Sequence, residues 1–212
     1  MELQNIKDHL AVLISEGHRW QYLTIKKQLP KPKFYFSAIQ FIFLSIALLG
    51  SLLLSNGFPK DFIGYVMASL SIFIGLFMTL ILAVFDKFQK LVVKNEPRTQ
   101  RVKIFIVQRK NFFKQFTALT SYAILISIFS VFILSLSLLS GFFDFNVFSY
   151  EFISSFSELS CQVVLNFIKG SFIILYRIIL IYFLLDFFLI TIYALSSIYN
   201  YIMLAYDEEK II

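Results

Sequence analysis

The stretch RIILIYFLLDFFL, residues 177–189, is as apolar as a membrane span and yet carries two full charges. Eleven of its thirteen residues are apolar, and the other two are Arg177 and Asp186. The two charges are nine residues apart, which is about two and a half turns of an α-helix and a rise of ~13–14 Å. They therefore face opposite sides of one helix, and each needs a partner from another span, another subunit or water.

The composition of the whole chain is that of an integral membrane protein. Of its 212 residues, 58% are hydrophobic and 15% are charged, whereas soluble domains have about 45–50% and about 25%. The single cysteine, Cys161, excludes an intrachain disulfide. Because no cluster of Cys and His occurs, we expect neither a metal site nor a cofactor.

Four apolar runs are long enough to cross ~30 Å of hydrocarbon, which takes about 20 residues. They cover residues 34–55, 62–85, 117–140 and 171–197. Since backbone groups must be satisfied internally in lipid, we expect each run to be helical. The predicted fold class is therefore an all-α integral membrane protein, with four transmembrane helices in one domain of residues 34–206.

The positive charge is concentrated on one side of these runs. Six Lys or Arg residues lie in segment 1–33 and nine in the loop 86–116, while the extracytoplasmic loop 141–170 has one. The positive-inside rule places both termini, including the tail 207–212, on the cytoplasmic side of the inner membrane. The basic residues of the cytoplasmic loop are Lys87, Lys90, Lys94, Arg98, Arg101, Lys103, Arg109, Lys110 and Lys114.

Two cytoplasmic segments have an amphipathic pattern. In segment 1–33, Ile6, Leu10 and Leu13 recur at helical spacing, which predicts an amphipathic helix. It could lie on the membrane, pack on a partner or pack on this protein's own cytoplasmic loop. In residues 101–116, basic residues alternate with aromatic ones, a pattern that can bind single-stranded nucleic acid. Beside a membrane it favours a headgroup-binding collar, so we expect no nucleic-acid partner.

The extracytoplasmic loop also has helical spacing of its apolar residues, among them Phe148, Phe152 and Phe156. This pattern predicts an interfacial helix on the outer leaflet or a short re-entrant piece.

Small residues mark close helix contacts in membranes. The second run carries Gly64, Ala68, Ser71 and Gly75, and the third carries Ala123, Ser127 and Ser130. Both stripes predict that the first three spans form a tight core, with the bulky fourth outside it or on a neighbouring subunit. The alternative is that Ser and Ala are simply common in spans.

Two positions of Arg177 and Asp186 relative to the membrane are compatible with the sequence, because the fourth run is longer than the membrane is thick. One frame buries Arg177 and puts Asp186 near the cytoplasmic edge; the other, favoured by nearby tyrosines, puts Asp186 near mid-membrane. Both residues are candidates for a polar intramembrane line through an oligomer. Alternatively, a neutral Asp186 holds helices together by hydrogen bonds, and Arg177 anchors the span to headgroups.

Catalysis is not expected from this sequence. His9 and His18, the two histidines, both precede the first span, so no span combines a serine with a histidine base. Asp186 is the only aspartate within a span, which excludes a membrane aspartate dyad. The chain also contains no P-loop and no dinucleotide fingerprint.

In size, span count and cytoplasmic helices, the chain resembles the small four-span membrane proteins encoded beside prokaryotic immune systems. The four-span accessory protein of some type VI-B CRISPR loci is similar, and the Lys-, Ile- and Phe-rich composition resembles proteins of AT-rich bacteria. The resemblance implies an accessory or effector role coupled to a soluble cytosolic nuclease. No motif carries it, so it assigns no functional residue.

We therefore expect a non-catalytic, homo-oligomeric inner-membrane protein that forms a pore or perturbs the lipid bilayer in antiviral defence. One alternative is a membrane scaffold that recruits a soluble cytosolic protein partner. Another is a small transporter or channel subunit, against which the absence of proline within the spans counts.

Overall fold

The computed structural model describes residues 2–23, 36–54, 56–92, 100–140 and 161–209, and every regular element within them is an α-helix. The five helices are α1 Glu2–Trp20, α2 Ala38–Leu53, α3 Lys60–Val92, α4 Gln100–Ser140 and α5 Cys161–Glu209. The all-α prediction is thereby confirmed.

Three of these helices are long and apolar enough to cross a membrane. The qualifying stretches are Lys60–Phe88 in α3, Lys103–Leu139 in α4 and Val164–Met203 in α5. Helix α2 is also apolar but has 16 residues, which gives a length of about 24 Å. The prediction of a membrane protein is confirmed at this level.

The helices extend beyond the predicted spans into both predicted loops. Most of the basic loop 86–116 is helical, because α3 continues to Val92 and α4 already begins at Gln100. No glycine or proline interrupts that part of α4, and Pro97 precedes it. Helix α5 likewise begins at Cys161. The predicted interfacial helix falls mainly in residues 141–160, which lie outside the described residues.

Local sequence defines both ends of α2. Ser37 and Gln40 form a capping box, in which the Ser37 Oγ accepts from the Gln40 N–H at 3.2 Å and the Gln40 Oε1 accepts from the Ser37 N–H at 3.1 Å. At the other end Leu54 leaves the helix in an extended conformation, with its N–H still donating to the Gly50 carbonyl at 3.2 Å. Gly57 then adopts a φ of 83°, a backbone conformation that residues with a side chain rarely adopt.

The chain divides into two compact units, to which α3, α4 and α5 each contribute. The second unit comprises Phe36–Ser71 and Ser127–Asp186. Its core is built from residues of α3, α4 and α5, and α2 packs on α5 through its own small residues. A Cβ placed on Gly50 would lie 3.4 Å from Ile181, and the Ser51 hydroxyl donates to the Ile174 carbonyl at 3.3 Å. The core cluster is Ile63, Leu134, Tyr176 and Leu180.

The first unit comprises Met1–Tyr35, Ile72–Ile126 and Phe187–Ile212. Aromatic rings dominate its interior. Phe187 lies 5.4 Å from Phe73 between ring centroids in an edge-on contact. Phe112 stacks on Tyr201 at 4.2 Å with an interplanar angle of 13°.

The prediction that the bulky fourth span packs outside a core of small residues is wrong within this chain. Helix α5 carries many of the most buried side chains, including Ile173, Leu180 and Ile190. Helix α5 packs through interdigitating aliphatic and aromatic side chains, and these bury more area than small side chains do.

The two small-residue stripes have different environments. Ala123, Ser127 and Ser130 of α4 are buried, as expected for a contact face. The α3 stripe of Gly64, Ala68, Ser71 and Gly75 is instead exposed. No atom of the described residues lies within 4 Å of a Cβ added at Gly64 or Gly75, so these two positions of the stripe make no close helix contact with the part of the chain that the structure describes.

Candidate functional site

Arg177 is completely buried in the second unit and caps the end of α2. Its Nη1 donates a hydrogen bond to the carbonyl oxygen of Leu54, the residue that follows the last turn of that helix. The final carbonyls of a helix lack partners within the helix and carry its negative partial charge. A guanidinium at this position therefore satisfies a carbonyl and complements the helix dipole.

Asp186, which like Arg177 belongs to α5, lies beside the opposite end of α2. It is 2% exposed, and its carboxylate accepts a hydrogen bond from the side chain of Gln40, which is equally buried in the first turn of α2. Because the Gln40 Oε1 already accepts from the Ser37 N–H, the amide nitrogen of Gln40 is the donor to Asp186. A negative charge near a helix N-terminus is favourable.

The two charges of α5 thus bracket α2, which runs antiparallel to α5. Gln40 and Leu54 are separated by about 21 Å of helix, whereas Arg177 and Asp186 are separated by ~13–14 Å. The long Arg177 side chain covers the difference. Arg177 and Asp186 cannot contact each other within α5, and each has its own partner on α2. Arg177 contacts a hydrogen-bond acceptor there, and Asp186 contacts a donor.

One oxygen of this site has no donor. Within the described residues, Oδ1 of Asp186 is buried and makes no hydrogen bond, and the same holds for Oγ of Ser130 in the same unit. A buried acceptor without a donor costs free energy of about 1–3 kcal/mol. An added donor at Oδ1 should therefore stabilise the protein.

The first unit holds a polar cluster that residue patterns did not indicate. Gln115 of α4 is buried and donates from Nε2 to two carbonyls at the end of α1, those of Trp20 at 3.2 Å and Leu23 at 2.7 Å. Its Oε1 accepts from the Ser197 hydroxyl of α5 at 3.2 Å. A Cβ on Gly17 would lie 2.5 Å from the Tyr122 Cβ, so α1 and α4 are in close contact there.

At its C-terminal end the N-terminal helix contacts α4 of its own chain, where Trp20 and, just beyond the helix, Leu23 are buried. Ile6 and Leu10, nearer the start of α1, remain exposed. The first and the last part of the helix therefore have different environments.

The structure describes some of the residues of the predicted basic surface. Lys87, Lys103, Lys110 and Lys114 are exposed, and Arg109 is half-buried. Lys90 and Arg101 lie within helices, and Lys94 and Arg98 lie outside the described residues.

The described residues contain no group of three or more His, Cys, Asp or Glu side chains that could hold a metal ion. His18 is buried, with its ring 5.4 Å from that of Tyr22 in an edge-on contact.

Comparison with known proteins finds no matching family model, no matching characterised protein and no matching solved structure. Over the residues that the structure describes, the fold defines the class as a helical protein with three helices long and apolar enough to cross a membrane.

Proposed function

We propose that this chain is a non-catalytic, self-associating inner-membrane accessory protein that perturbs the bilayer as an oligomer. The observation that carries the proposal is the exposed stripe of small residues on α3, Gly64, Ala68, Ser71 and Gly75. Small residues on lipid-facing positions favour close helix association, and among the described residues no atom lies close to Gly64 or Gly75 of the stripe. A role in antiviral defence rests on the architectural resemblance alone.

We further propose that α2 is a fourth span, with both termini in the cytoplasm. Its 16 residues reach about 24 Å, and apolar residues directly precede it in the sequence. Charged partners at both of its ends support this placement, because a guanidinium at Leu54 and a carboxylate at Gln40 replace water at the helix termini. The charge asymmetry of the loops supports the orientation.

Because Arg177 and Asp186 are buried within the chain, their role is to stabilise the fold of each subunit. The α3 stripe is then the candidate for the polar surface between the subunits of an oligomer. Thr79 lies one helical turn beyond Gly75 and extends the stripe with the same spacing. The hydroxyls of Ser71 and Thr79 donate to carbonyls of their own helix at 2.8 Å. Such hydroxyls tolerate lipid and can also line a contact between subunits.

The experiment is dye leakage from liposomes that contain the purified full-length protein. Ser71→Leu should reduce the leak, because leucine prevents close approach of two α3 helices. Ser69→Leu is the matched control, since Ser69 is an exposed serine of the same helix but lies about 200° around it from Ser71. Equal leakage from the wild type and the Ser71 variant, or no leakage at all, would contradict the proposal.

A scaffold for a soluble partner is the second candidate, and the exposed Ile6 and Leu10 favour it. These side chains lie at the start of α1, before the turn that packs on α4. This function predicts no leakage, and it predicts a cytosolic partner whose binding is lost in the double variant Ile6→Gln/Leu10→Gln.

A further inference from the structure

A groove of about 770 Å³ opens in the first unit between α1, α3 and α4. This volume lies in the range of small-molecule sites, which is about 300–1,000 Å³. Aromatic side chains from all three helices form its apolar part. They are Trp20, Phe85, Phe88 and Phe113.

Cationic side chains line another part of the groove. Lys110 and Lys114 are one helical turn apart on α4 and are exposed. Within the described residues neither forms a salt bridge. The acidic lining residue, Glu16, instead accepts from Arg19 at 3.3 Å and from the Trp20 indole at 3.1 Å. The groove therefore presents an unmatched pair of positive charges beside an apolar surface.

The groove lies where the apolar part of a membrane helix ends. The uncharged run of α3 ends at Phe85, a lining residue that Asp86 and Lys87 follow, and Trp20 has the amphipathic character of residues at membrane interfaces. On α4 the apolar run begins at residue 117, so in a bilayer that covers these runs Lys110 and Lys114 would lie at the level of the lipid headgroups. Basic clusters at this level attract anionic lipids.

We propose that this groove binds one anionic phospholipid of the cytoplasmic leaflet. The phosphate lies against Lys110 and Lys114, and an acyl chain lies along Phe85, Phe88 and Phe113. Because Arg19 is paired with Glu16, the two lysines supply the charge that selects an anionic headgroup. This proposal rests on the membrane placement of α3 and α4, and it is independent of self-association.

The chain provides its own probe for this site, since Trp20 is its single tryptophan and lines the groove. The experiment titrates the full-length protein in a nonionic detergent with phosphatidylglycerol whose acyl chains are brominated, and follows quenching of Trp20 fluorescence. We expect saturable quenching with one lipid per chain. Brominated phosphatidylcholine should quench with an affinity at least about tenfold weaker, because it lacks net negative charge.

Three variants test the assigned contacts. Lys110→Gln/Lys114→Gln should shift the phosphatidylglycerol midpoint by about tenfold or more, and Lys110→Arg/Lys114→Arg should restore it. The control pair Lys87→Gln/Lys103→Gln removes the same charge from exposed lysines that do not line the groove, and the midpoint should stay unchanged. Ala118→Phe fills the groove and should lower the maximal quenching while both lysines remain.

Several results would overturn the proposal. Equal quenching by the two lipids would show an unselective apolar surface, and an equal shift in the control pair would show general charge attraction. Displacement of the lipid by glycerol phosphate at matched concentration would show a site for free phosphate. Quenching that an acidic peptide or an RNA oligomer prevents more effectively than unbrominated phosphatidylglycerol would assign the groove to that partner.

Discussion

The guanidinium of Arg177 donates to the carbonyl oxygen of Leu54, 123 residues earlier in the chain, at the end of α2. Together with the contact between Asp186 and Gln40, this hydrogen bond explains why a highly apolar helix carries two charges. Each charge lies at the end of α2 whose partial charge is opposite to its own. The pair therefore fixes both the position and the direction of α2 on α5.

Arg177→Leu should destabilise the protein by about 1–3 kcal/mol, because it leaves the Leu54 carbonyl buried without a donor. Arg177→Lys keeps the charge and one donor, so its loss of stability should be smaller. Unfolding by sodium dodecyl sulfate in mixed micelles, followed by circular dichroism, measures the difference. Equal stability of the leucine variant and the wild type would contradict the capping role.

Asp186→Asn should be tolerated better than Asp186→Leu, since the amide oxygen still accepts from Gln40. A double-mutant cycle of Asp186→Leu with Gln40→Leu should give a coupling of about 0.6 kcal/mol, the average for hydrogen bonds between membrane helices, and at most about 1.7 kcal/mol. The same unfolding assay supplies the four free energies. A coupling near zero would mean that the two side chains do not stabilise one another.

Gly17→Ala should weaken the packing of α1 on α4, because the added Cβ would lie 2.5 Å from the Tyr122 Cβ. Overpacking of this kind costs about 1–3 kcal/mol. The control is Gly75→Ala in the same unit, measured in a detergent that keeps the protein monomeric, because a Cβ there meets no atom of the described residues within 4 Å. That change should be neutral or stabilise α3 by about 0.5–1 kcal/mol. The same sign for both variants would contradict the close contact.

Gln115→Leu should release the end of α1, because it removes the donor to the Trp20 and Leu23 carbonyls. Trp20 is 5% exposed, so its emission should shift to longer wavelength as water reaches the indole. Ser197→Ala removes only the hydroxyl that donates to the Gln115 Oε1, and it should shift the emission less. An unchanged spectrum in the leucine variant would rule out the clamp.

The sequence predicted the apolar helices because hydropathy and length decide them directly. It also required separate partners for Arg177 and Asp186, since helical spacing keeps the two side chains apart. It could not name Gln40 or Leu54, because a glutamine in an apolar run and a backbone carbonyl carry no pairing signal. The capping-box pattern of Ser37 and Gln40 was the one local feature that could have indicated a helix start there.

The error about the fourth span has a physical cause. Small residues mark only some close helix contacts, and α3 and α5 pack instead through large rings, such as Phe73 against Phe187. The α3 stripe consequently remains exposed and available to a second copy. Gln115 and Gly17 likewise carry no signal in the sequence, because their roles depend on the contact between α1 and α4.

The most direct test of self-association through α3 is the subunit count of the full-length protein in lipid nanodiscs, measured by native mass spectrometry. We predict an oligomer for the wild type and for Ser69→Leu, and a shift to the monomer for Ser71→Leu. A wild type that is monomeric, or a Ser71 variant that assembles as the wild type does, would contradict the account.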